Sequence, residues 1–402
     1  MSRAKAGRLV FVAICAAWWV QKAAFSNPGG GWDFRVYYHA AQAWRSGLDP
    51  YDTATLPDQL RNDGYKFNYP PFSLGIFAPF TGLPVSQALL AFTALKTVAL
   101  IWLIVIWSRL LQIRRTEPAW VLFLIFAYSS TIFIDFVAGS VTTFEQLLIW
   151  LGVSALLENR PRAFVAAVVA ASLFRLAPIG LLIACLAVPD DRRYRYLAGG
   201  LVAFAAIFLV TYVVTPQLTV EFVQTIPKNF GERGRLNPAL GAFVLDVVDL
   251  MARRFSAAVP AIVQSGIYVT LAAAVVVPTL VVLRRLAPAR TADRLAAVVY
   301  VVFLAYAVAM PRFRNYHYML LIVPTYFVAT RSTRLRQAIP LLLLACLPVY
   351  SWITSEANVI LLGNYASWFI ALGAWALSLY ELRAEPHAEH VNLQNLVNLR
   401  TS

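Results

Sequence analysis

Long apolar runs separated by short basic clusters occupy most of this chain of 402 residues. A helix of ~20 mainly apolar residues spans the ~30 Å hydrocarbon core of a bilayer, and the ten-residue alternation typical of a membrane barrel is missing. The pattern predicts an all-α polytopic integral membrane protein with about nine or ten full transmembrane helices. These runs are residues 9–25, 84–108, 118–134, 147–158, 196–214, 258–283, 295–310, 318–330, 338–353 and 364–380.

One further apolar run, residues 163–188, does not fit a simple crossing. A single helix there would carry the basic cluster at 192–195 outside, against the preference of basic residues for the cytoplasmic side. The sequence Phe174-Arg-Leu-Ala-Pro178 also interrupts the run. Two half-helices of ~12 residues that meet at Arg175 and return to one side satisfy both observations, because each is too short to span a bilayer. One bent helix is the alternative.

The loop at 26–70 carries a helical pattern of its own. After three glycines at 29–31, apolar residues recur at every fourth position from Trp32 to Trp44, and Gly47 follows as a helix stop. This pattern predicts a helix lying in the membrane interface. The run at 9–25 is predicted as a retained helix, with a cleaved signal peptide as the alternative. In both cases the loop lies outside the cytoplasm.

Basic residues orient the predicted helices. Most basic clusters fall on the cytoplasmic side when residues 1–380 form one multispanning domain with external loops at 26–70 and 215–256. Both termini, including a polar tail at 381–402, are then cytoplasmic. Two exceptions, Arg233/Arg235 and Arg312/Arg314, lie outside and are candidates for binding an anion.

Composition narrows the function classes. The formal net charge of +14 follows from the basic cytoplasmic loops, so it does not indicate nucleic-acid binding. Cys15, Cys185 and Cys346 lie within apolar runs, which is typical of packing residues. No phosphate-binding loop, dinucleotide fingerprint, metal-ligand spacing or transporter-type repeat occurs. We therefore predict no cofactor, with an activated substrate arriving through the membrane; a divalent cation stays open.

Polar residues of several chemical types collect on the predicted external side. Glycosyl transfer from a lipid phosphate needs a carboxylate that takes a proton from the acceptor hydroxyl, and cations that stabilise the departing phosphate. Asp33 is the candidate base and Glu145 is the alternative. Asp33 also suits the start of a helix, where the dipole stabilises an acid by ~0.3–1 kcal/mol without any catalytic role. The external set is Asp33, Tyr37, Asn68, Glu145, Arg175, Asn237, Arg312, Arg314 and His317.

Four segments resemble those of one enzyme family. Asp33-Phe-Arg-Val-Tyr-Tyr-His-Ala-Ala with Gly47-Leu-Asp-Pro50-Tyr51 resembles the first-loop signature of glycosyltransferase family 87. This family belongs to the multispanning GT-C superfamily and includes mannosyltransferases that use polyprenyl-phosphomannose. Later segments resemble the family in the same order, namely Asn68-Tyr69-Pro70-Pro71, Phe174 to Pro178 and Pro311 to His317.

The resemblance implies a GT-C-like fold in the plasma (inner) membrane and an extracytoplasmic active site. Asp33 would be the catalytic base for inverting transfer of a hexose, first of all mannose, from a polyprenyl-phosphate donor to a lipid or glycan acceptor. Membrane lipids would surround the site. The residues implied in substrate binding are Tyr37, Asn68, Tyr69, Arg175, Asn237, Arg312, Arg314 and His317.

Two departures from the family pattern bear on specificity, and rival functions stay open. Gly139-Ser-Val-Thr142 stands where the family has a Gly-Gln-x-Asn-like motif, and Arg175 replaces a more usual lysine, which keeps the charge but not the geometry. A transporter or lipid flippase is the main rival, motivated by a charged residue in a broken helix. An envelope assembly protein without catalysis is the third interpretation.

Overall fold

A computed structural model of the protein describes residues 30–227, 231–256, 258–286, 291–331, 343, 345 and 363–384. The predicted helix at 9–25, nearly all of that at 338–353 and the chain after residue 384 lie outside the described residues. The described residues form helices and contain no strand, which confirms the all-α prediction.

The α-helices of the described residues are numbered in chain order. They are α1 (Trp32–Arg45), α2 (Asp58–Asn62), α3 (Phe72–Phe77), α4 (Val85–Leu110), α5 (Pro118–Ala138), α6 (Thr142–Leu157), α7 (Pro161–Ser172), α8 (Arg193–Val214), α9 (Pro216–Thr225), α10 (Leu240–Phe255), α11 (Ala261–Leu286), α12 (Ala292–Ala309), α13 (Ile322–Arg331) and α14 (Ala366–Ala384). Shorter 3-10 helices are Thr53–Thr55, Ala78–Gly82, Ala177–Ala187, Gly234–Leu236 and Asn315–Leu321.

Five of the described helices, α4, α5, α8, α11 and α12, are long and apolar enough to cross a bilayer. They coincide with five of the predicted crossings and confirm a polytopic membrane protein. Leucine and valine side chains along α8 and α11 are exposed, as expected for helices that face lipid. Two of the predicted helices have different bounds in the structure. The helix predicted at 147–158 begins at Thr142 in α6, and the one predicted at 364–380 ends at Ala384 in α14.

The run at 163–188 is broken at Arg175, as the half-helix prediction requires. Helix α7 has 12 residues and the following 3-10 helix has 11. A Cβ atom added to Gly200 of α8 would lie 2.6 Å from Leu182 and 2.9 Å from Val165. Val165 lies before the break at Arg175 and Leu182 lies after it, yet both contact the same residue of α8. The two segments therefore run antiparallel as a hairpin, which excludes the single bent helix.

Helix α1 has the boundaries that the sequence predicts. Gly47 adopts a left-handed φ of 73°, and the N–H of Leu48 donates to the carbonyl of Ala43 over 2.9 Å, which closes a Schellman motif. The buried face is wider than the predicted stripe, because Phe34 and Tyr37 pack against α3 and α4, whereas Trp44 is 38% exposed. Residues 32–80 thus form a second hydrophobic core together with residues of α4.

Helix α5 is interrupted in its middle. Tyr128, Ser129 and Ser130 have φ values of 52°, 59° and 64°, so the helix ends before them and restarts after them. Two side chains next to the interruption bond to the C-terminal part of the chain. Tyr128 Oη contacts Thr325 Oγ1, and Thr131 Oγ1 donates to the carbonyl of Asn315 over 2.7 Å. The interruption therefore joins α5 to the segment that contains His317.

Candidate active site

The start of α1 is fixed by the turn between α5 and α6. The N–H of Gly31 donates to the carbonyl of Val137 over 2.7 Å. Gly139 has a φ of 67°, and a Cβ atom added there would lie 3.1 Å from the Cα of Gly31 and 3.0 Å from the Cβ of Phe34. Only glycine permits this approach at that φ. Asp33 is therefore held in place by backbone contacts on both sides of it.

Asp33 is buried and half of its carboxylate is unpaired. The residue is 6% exposed, Oδ1 lies 4.0 Å from Nη1 of Arg314, and Oδ2 has no hydrogen-bond partner among the described residues. Burial raises the pKa of Asp33 above its ordinary value, while Arg314 and Arg175 oppose that rise. Oδ2 is thus an available proton acceptor beside a fixed positive charge.

Arg312 and Arg314 share one carboxylate, that of Glu232. Arg314 binds it bidentately, with Nε 2.8 Å from Oε2 and Nη2 2.7 Å from Oε1. Arg312 donates to Oε2 from Nε (3.0 Å) and Nη2 (2.8 Å). Burial alone would raise the pKa of Glu232, but the two guanidinium groups outweigh it and lower the pKa. Glu232 is therefore ionised and occupies the face that the sequence assigned to an anionic ligand.

Arg175 is the centre of a hydrogen-bond network that joins four segments of the chain. The guanidinium carbon Cζ of Arg175 lies 5.4 Å from the Tyr69 ring centroid and 5.2 Å from that of Tyr316, within the range of cation–π attraction. The guanidinium nitrogens contact Tyr69 Oη (2.9 Å), Ser140 Oγ (2.9 Å), Thr142 Oγ1 (2.8 Å), Glu145 Oε2 (3.5 Å) and His317 Nε2. The break between α7 and the 3-10 helix thus places the guanidinium group of Arg175 in the middle of the site.

His317 is held in the neutral form. Nε2 contacts Arg175, and the main-chain N–H of Arg314 donates to Nδ1 over 3.1 Å. Burial lowers the pKa of His317 well below its ordinary value, and the arginines at 175, 312 and 314 lower it further. The imidazole therefore adds no further positive charge to the three arginines around it.

Tyrosines connect Arg175 to α1. Tyr37, one turn after Asp33, lies with its Oη 2.6 Å from that of Tyr69. Tyr316 Oη accepts from Nη1 of Arg314 over 2.7 Å, and its ring centroid lies 5.2 Å from Cζ of Arg175. The neighbouring Asn68 has a buried Oδ1 without a partner among the described residues. The site thus offers several oriented hydroxyl and amide groups.

Glu145, the alternative base, belongs to a different part of the site. A narrow cavity beside Arg175 is lined by Glu145, Gln146, Arg312 and His317 among others, and Asp33 is not part of its lining. The carboxylate of Glu145 lies 3.5 Å from Arg175, and the buried Oε1 of Gln146 is unpaired within the described structure. Glu145 is accordingly an ion-pair partner of Arg175, whereas Asp33 keeps a free oxygen.

Asn237, predicted to bind substrate, has both ends of its side chain engaged with the protein. Nδ2 donates to the carbonyl of Glu232 over 2.8 Å, and Oδ1 accepts from the N–H of Phe313 over 2.7 Å. Asn237 is fully buried. In this structure it fixes Glu232 relative to the segment that carries Arg312 and Arg314.

Three features of the site were missed by the sequence reasoning. Glu232 stands in a polar stretch of the sequence with nothing to single it out, and Tyr316 resembles any tyrosine expected at a membrane interface. Lys96 pairs with Asp135 inside the protein at 2.8 Å. A lone lysine in the middle of an apolar run was a usable signal, because charges within membrane helices are costly and mark functional positions.

The positive charge of the site comes from arginine side chains. No group of three or more His, Cys, Asp or Glu side chains within the described ranges is arranged to hold a metal ion. A carboxylate with a free oxygen, next to guanidinium groups that bind anions, can accept a proton on one side of a reacting centre and stabilise a phosphate on the other.

The chain matches the sequence model of a known family. The sequence model of glycosyltransferase family 87 matches residues 67–311, more than half of the chain. This range contains Asn68, Tyr69, Glu145 and Arg175 but stops short of Asp33 on one side and of Arg312 on the other. No curated protein sequence matches the chain.

Proposed function

Since the chain belongs to glycosyltransferase family 87 and is a membrane glycosyltransferase, we propose that it transfers a hexose from a polyprenyl-phosphate donor, with Asp33 as the general base. The family assignment confirms the one that the sequence motifs indicated. The donor, the acceptor and the role of Asp33 belong to the proposal.

The main support for this proposal is the unpaired Oδ2 of the buried Asp33, which lies beside Arg314. An acceptor hydroxyl donates its proton to Oδ2 as its oxygen bonds to the anomeric carbon of the donor sugar. The bond from that carbon to the phosphate oxygen breaks, and polyprenyl phosphate leaves with the electron pair. Arg175 and the arginine pair stabilise the charge on the phosphate. This single displacement inverts the anomeric configuration.

Mannose is the first sugar to test, with a lipid or glycan as acceptor. The predicted topology puts this chemistry on the extracytoplasmic face of the plasma (inner) membrane, because Arg312 and Arg314 belong to one of the two basic clusters that remain outside. Ordinary phosphate-binding loops are missing from the sequence, which supports a donor activated on a lipid carrier.

An apolar groove supports a lipid-linked substrate. It lies between α8 and α9, offers about 590 Å³, and is lined by side chains such as Phe204, Phe208 and Val223. Phe222, the residue before Val223 in α9, is buried with its ring 6.3 Å from that of Tyr51, whose Oη donates to the carbonyl of Tyr69. Phe222 and Tyr51 therefore link the wall of the groove to Tyr69, which belongs to the Arg175 network.

Product identification tests the proposal. Purified protein would be incubated with a panel of polyprenyl-phosphate hexoses and membrane lipid extract, and products identified by mass. A new species heavier than an acceptor by one hexose residue, with release of polyprenyl phosphate, is the expected result. Movement of the donor across liposome membranes without covalent product would instead favour the flippase function.

Glu232 is expected to compete with the donor phosphate for Arg312 and Arg314. Replacing it by Gln removes the negative charge, and we expect the donor KM to fall by about tenfold, which corresponds to ~1.4 kcal/mol. The measurement is initial rate against donor concentration at fixed acceptor concentration.

Asp249→Asn is the matched control for this change. It breaks another arginine–carboxylate pair of the same external region, that of Arg233 with Asp249, and leaves Arg312 and Arg314 untouched. The donor KM should then stay within about twofold of the original. An unchanged or higher KM in Glu232→Gln would show that Glu232 does not occupy the phosphate position.

A further inference from the structure

Lys96 of α4 and Asp135 of α5 form an ion pair buried below the site. Their side chains are 1% and 0% exposed, and Nζ lies 2.8 Å from Oδ2. Nζ also donates to the main-chain carbonyl of Asp135 over 2.6 Å, and Thr143 Oγ1 donates to Oδ2 over 2.6 Å. The Phe136 ring centroid lies 4.8 Å from the ammonium group. This cluster touches neither the cavity nor Asp33 directly.

Stability alone is a poor explanation for such a pair. A buried ion pair is often no more stabilising than apolar side chains of the same volume, because both charges lose their hydration. Within membrane helices the cost of each charge is several kcal/mol. The position of the pair in the fold gives a better explanation.

The pair ties together both sides of the turn between α5 and α6. The carbonyl of Asp135 receives Nζ and also the N–H of Ser140, over 3.2 Å. Thr143, which binds the carboxylate, lies in the first turn of α6. The ammonium group therefore fixes the last turn of α5 directly and the first turn of α6 through the carboxylate.

The same turn also contacts the segment of Asp33 and the side chain of Arg175. On one side the carbonyl of Val137 receives the N–H of Gly31, two residues before Asp33. On the other, Ser140 Oγ and Thr142 Oγ1 accept from the two terminal nitrogens of Arg175. One backbone turn thus sets the distance between the base and the central cation.

We propose that Lys96 and Asp135 are positioning residues for glycosyl transfer, which hold Asp33 and Arg175 in register through this turn. The inference rests on the proposed function for its readout. A misplacement of ~1 Å in a reacting group can cost ~100-fold in rate even when the change lies away from the chemistry. The pair should therefore affect turnover more than binding.

The test replaces both charges together, so that neither is left alone in the protein interior. In Lys96→Met/Asp135→Leu we expect kcat to fall by about 10- to 100-fold, with the donor KM within about threefold of the original. Thr143→Val removes one contact to the carboxylate and leaves both charges. Its kcat should fall by about three- to tenfold, and it decides the question if the double variant does not fold.

Thr279→Val is the matched control. It removes a buried hydroxyl that accepts from Nε1 of Trp375 over 2.9 Å, a contact between α11 and α14 and not at the turn. Its thermal stability should fall while its kcat stays near the original. The inference is overturned if the folded double variant, or Thr143→Val in its place, keeps full kcat despite a lower Tm. Absence of transfer by the unmodified protein would instead overturn the proposed function.

Discussion

Replacing Asp33 by Asn is expected to lower the rate of glycosyl transfer by ~10²–10⁴-fold, the usual contribution of a general base. The amide has nearly the same shape but cannot take the acceptor proton. Because Oδ2 has no partner within the described structure, the change breaks no protein hydrogen bond at that oxygen. Folding and donor binding should therefore stay close to the original, as measured by thermal unfolding and by the donor KM.

The pH profile provides a second check of the same assignment. Asp33 must be ionised to act, so kcat/KM should decrease as pH falls through its pKa. Burial raises that pKa, which places the acid limb above the range of an ordinary aspartate. Arg314→Gln removes the cation 4.0 Å from Oδ1 and should move the limb to still higher pH. Glu145→Gln should leave the limb in place. Near-normal transfer by Asp33→Asn would contradict the assignment.

Replacing Arg175 by Lys is expected to lower kcat/KM by ~10²–10³-fold, although the charge is kept. Two guanidinium nitrogens hold Tyr69, Ser140 and Thr142 at once, and one ammonium group cannot reproduce that fork. Lys is preferable to an apolar substitution, because loss of the charge would leave Glu145 buried without its partner, at a cost of ~3–5 kcal/mol.

Arg331→Lys is the control for a change of this type. Arg331 pairs with Asp293 over 3.2 Å in a half-exposed position, so its replacement should leave kcat/KM within about twofold. A comparable loss of activity in both variants would mean that reduced stability, and not the geometry of the site, explains the effect of Arg175→Lys.

Local signals in the sequence predicted the parts of the fold that local contacts determine. Helix α1, its stop at Gly47 and the break at Arg175 each depend on residues within a few positions of one another. Glycine tolerates the left-handed φ that ends α1. Arginine and proline cannot continue a buried apolar helix without cost. These predictions needed no knowledge of which segments meet.

Contacts between residues far apart in the chain could not be predicted from the sequence. Arg312 and Arg314 were assigned to an anionic ligand, but the distance to Glu232, 80 and 82 positions away, is set by how α9 to α12 pack. Asn237 was predicted from its polar character and external position alone. Its contacts to Glu232 and Phe313 show that a polar residue near a site can serve the backbone instead of a ligand.

The central network also bears on how the protein is made. Arg175 meets His317, which follows it by 142 positions. At synthesis rates of ~5–20 residues per second, roughly 7–28 s separate the two residues at the ribosome. Ser140, Thr142 and Glu145 precede Arg175 in the chain, so they can hydrogen-bond to its guanidinium group during that interval. The nascent protein can therefore insert the arginine early and acquire its histidine contact only once α12 has followed.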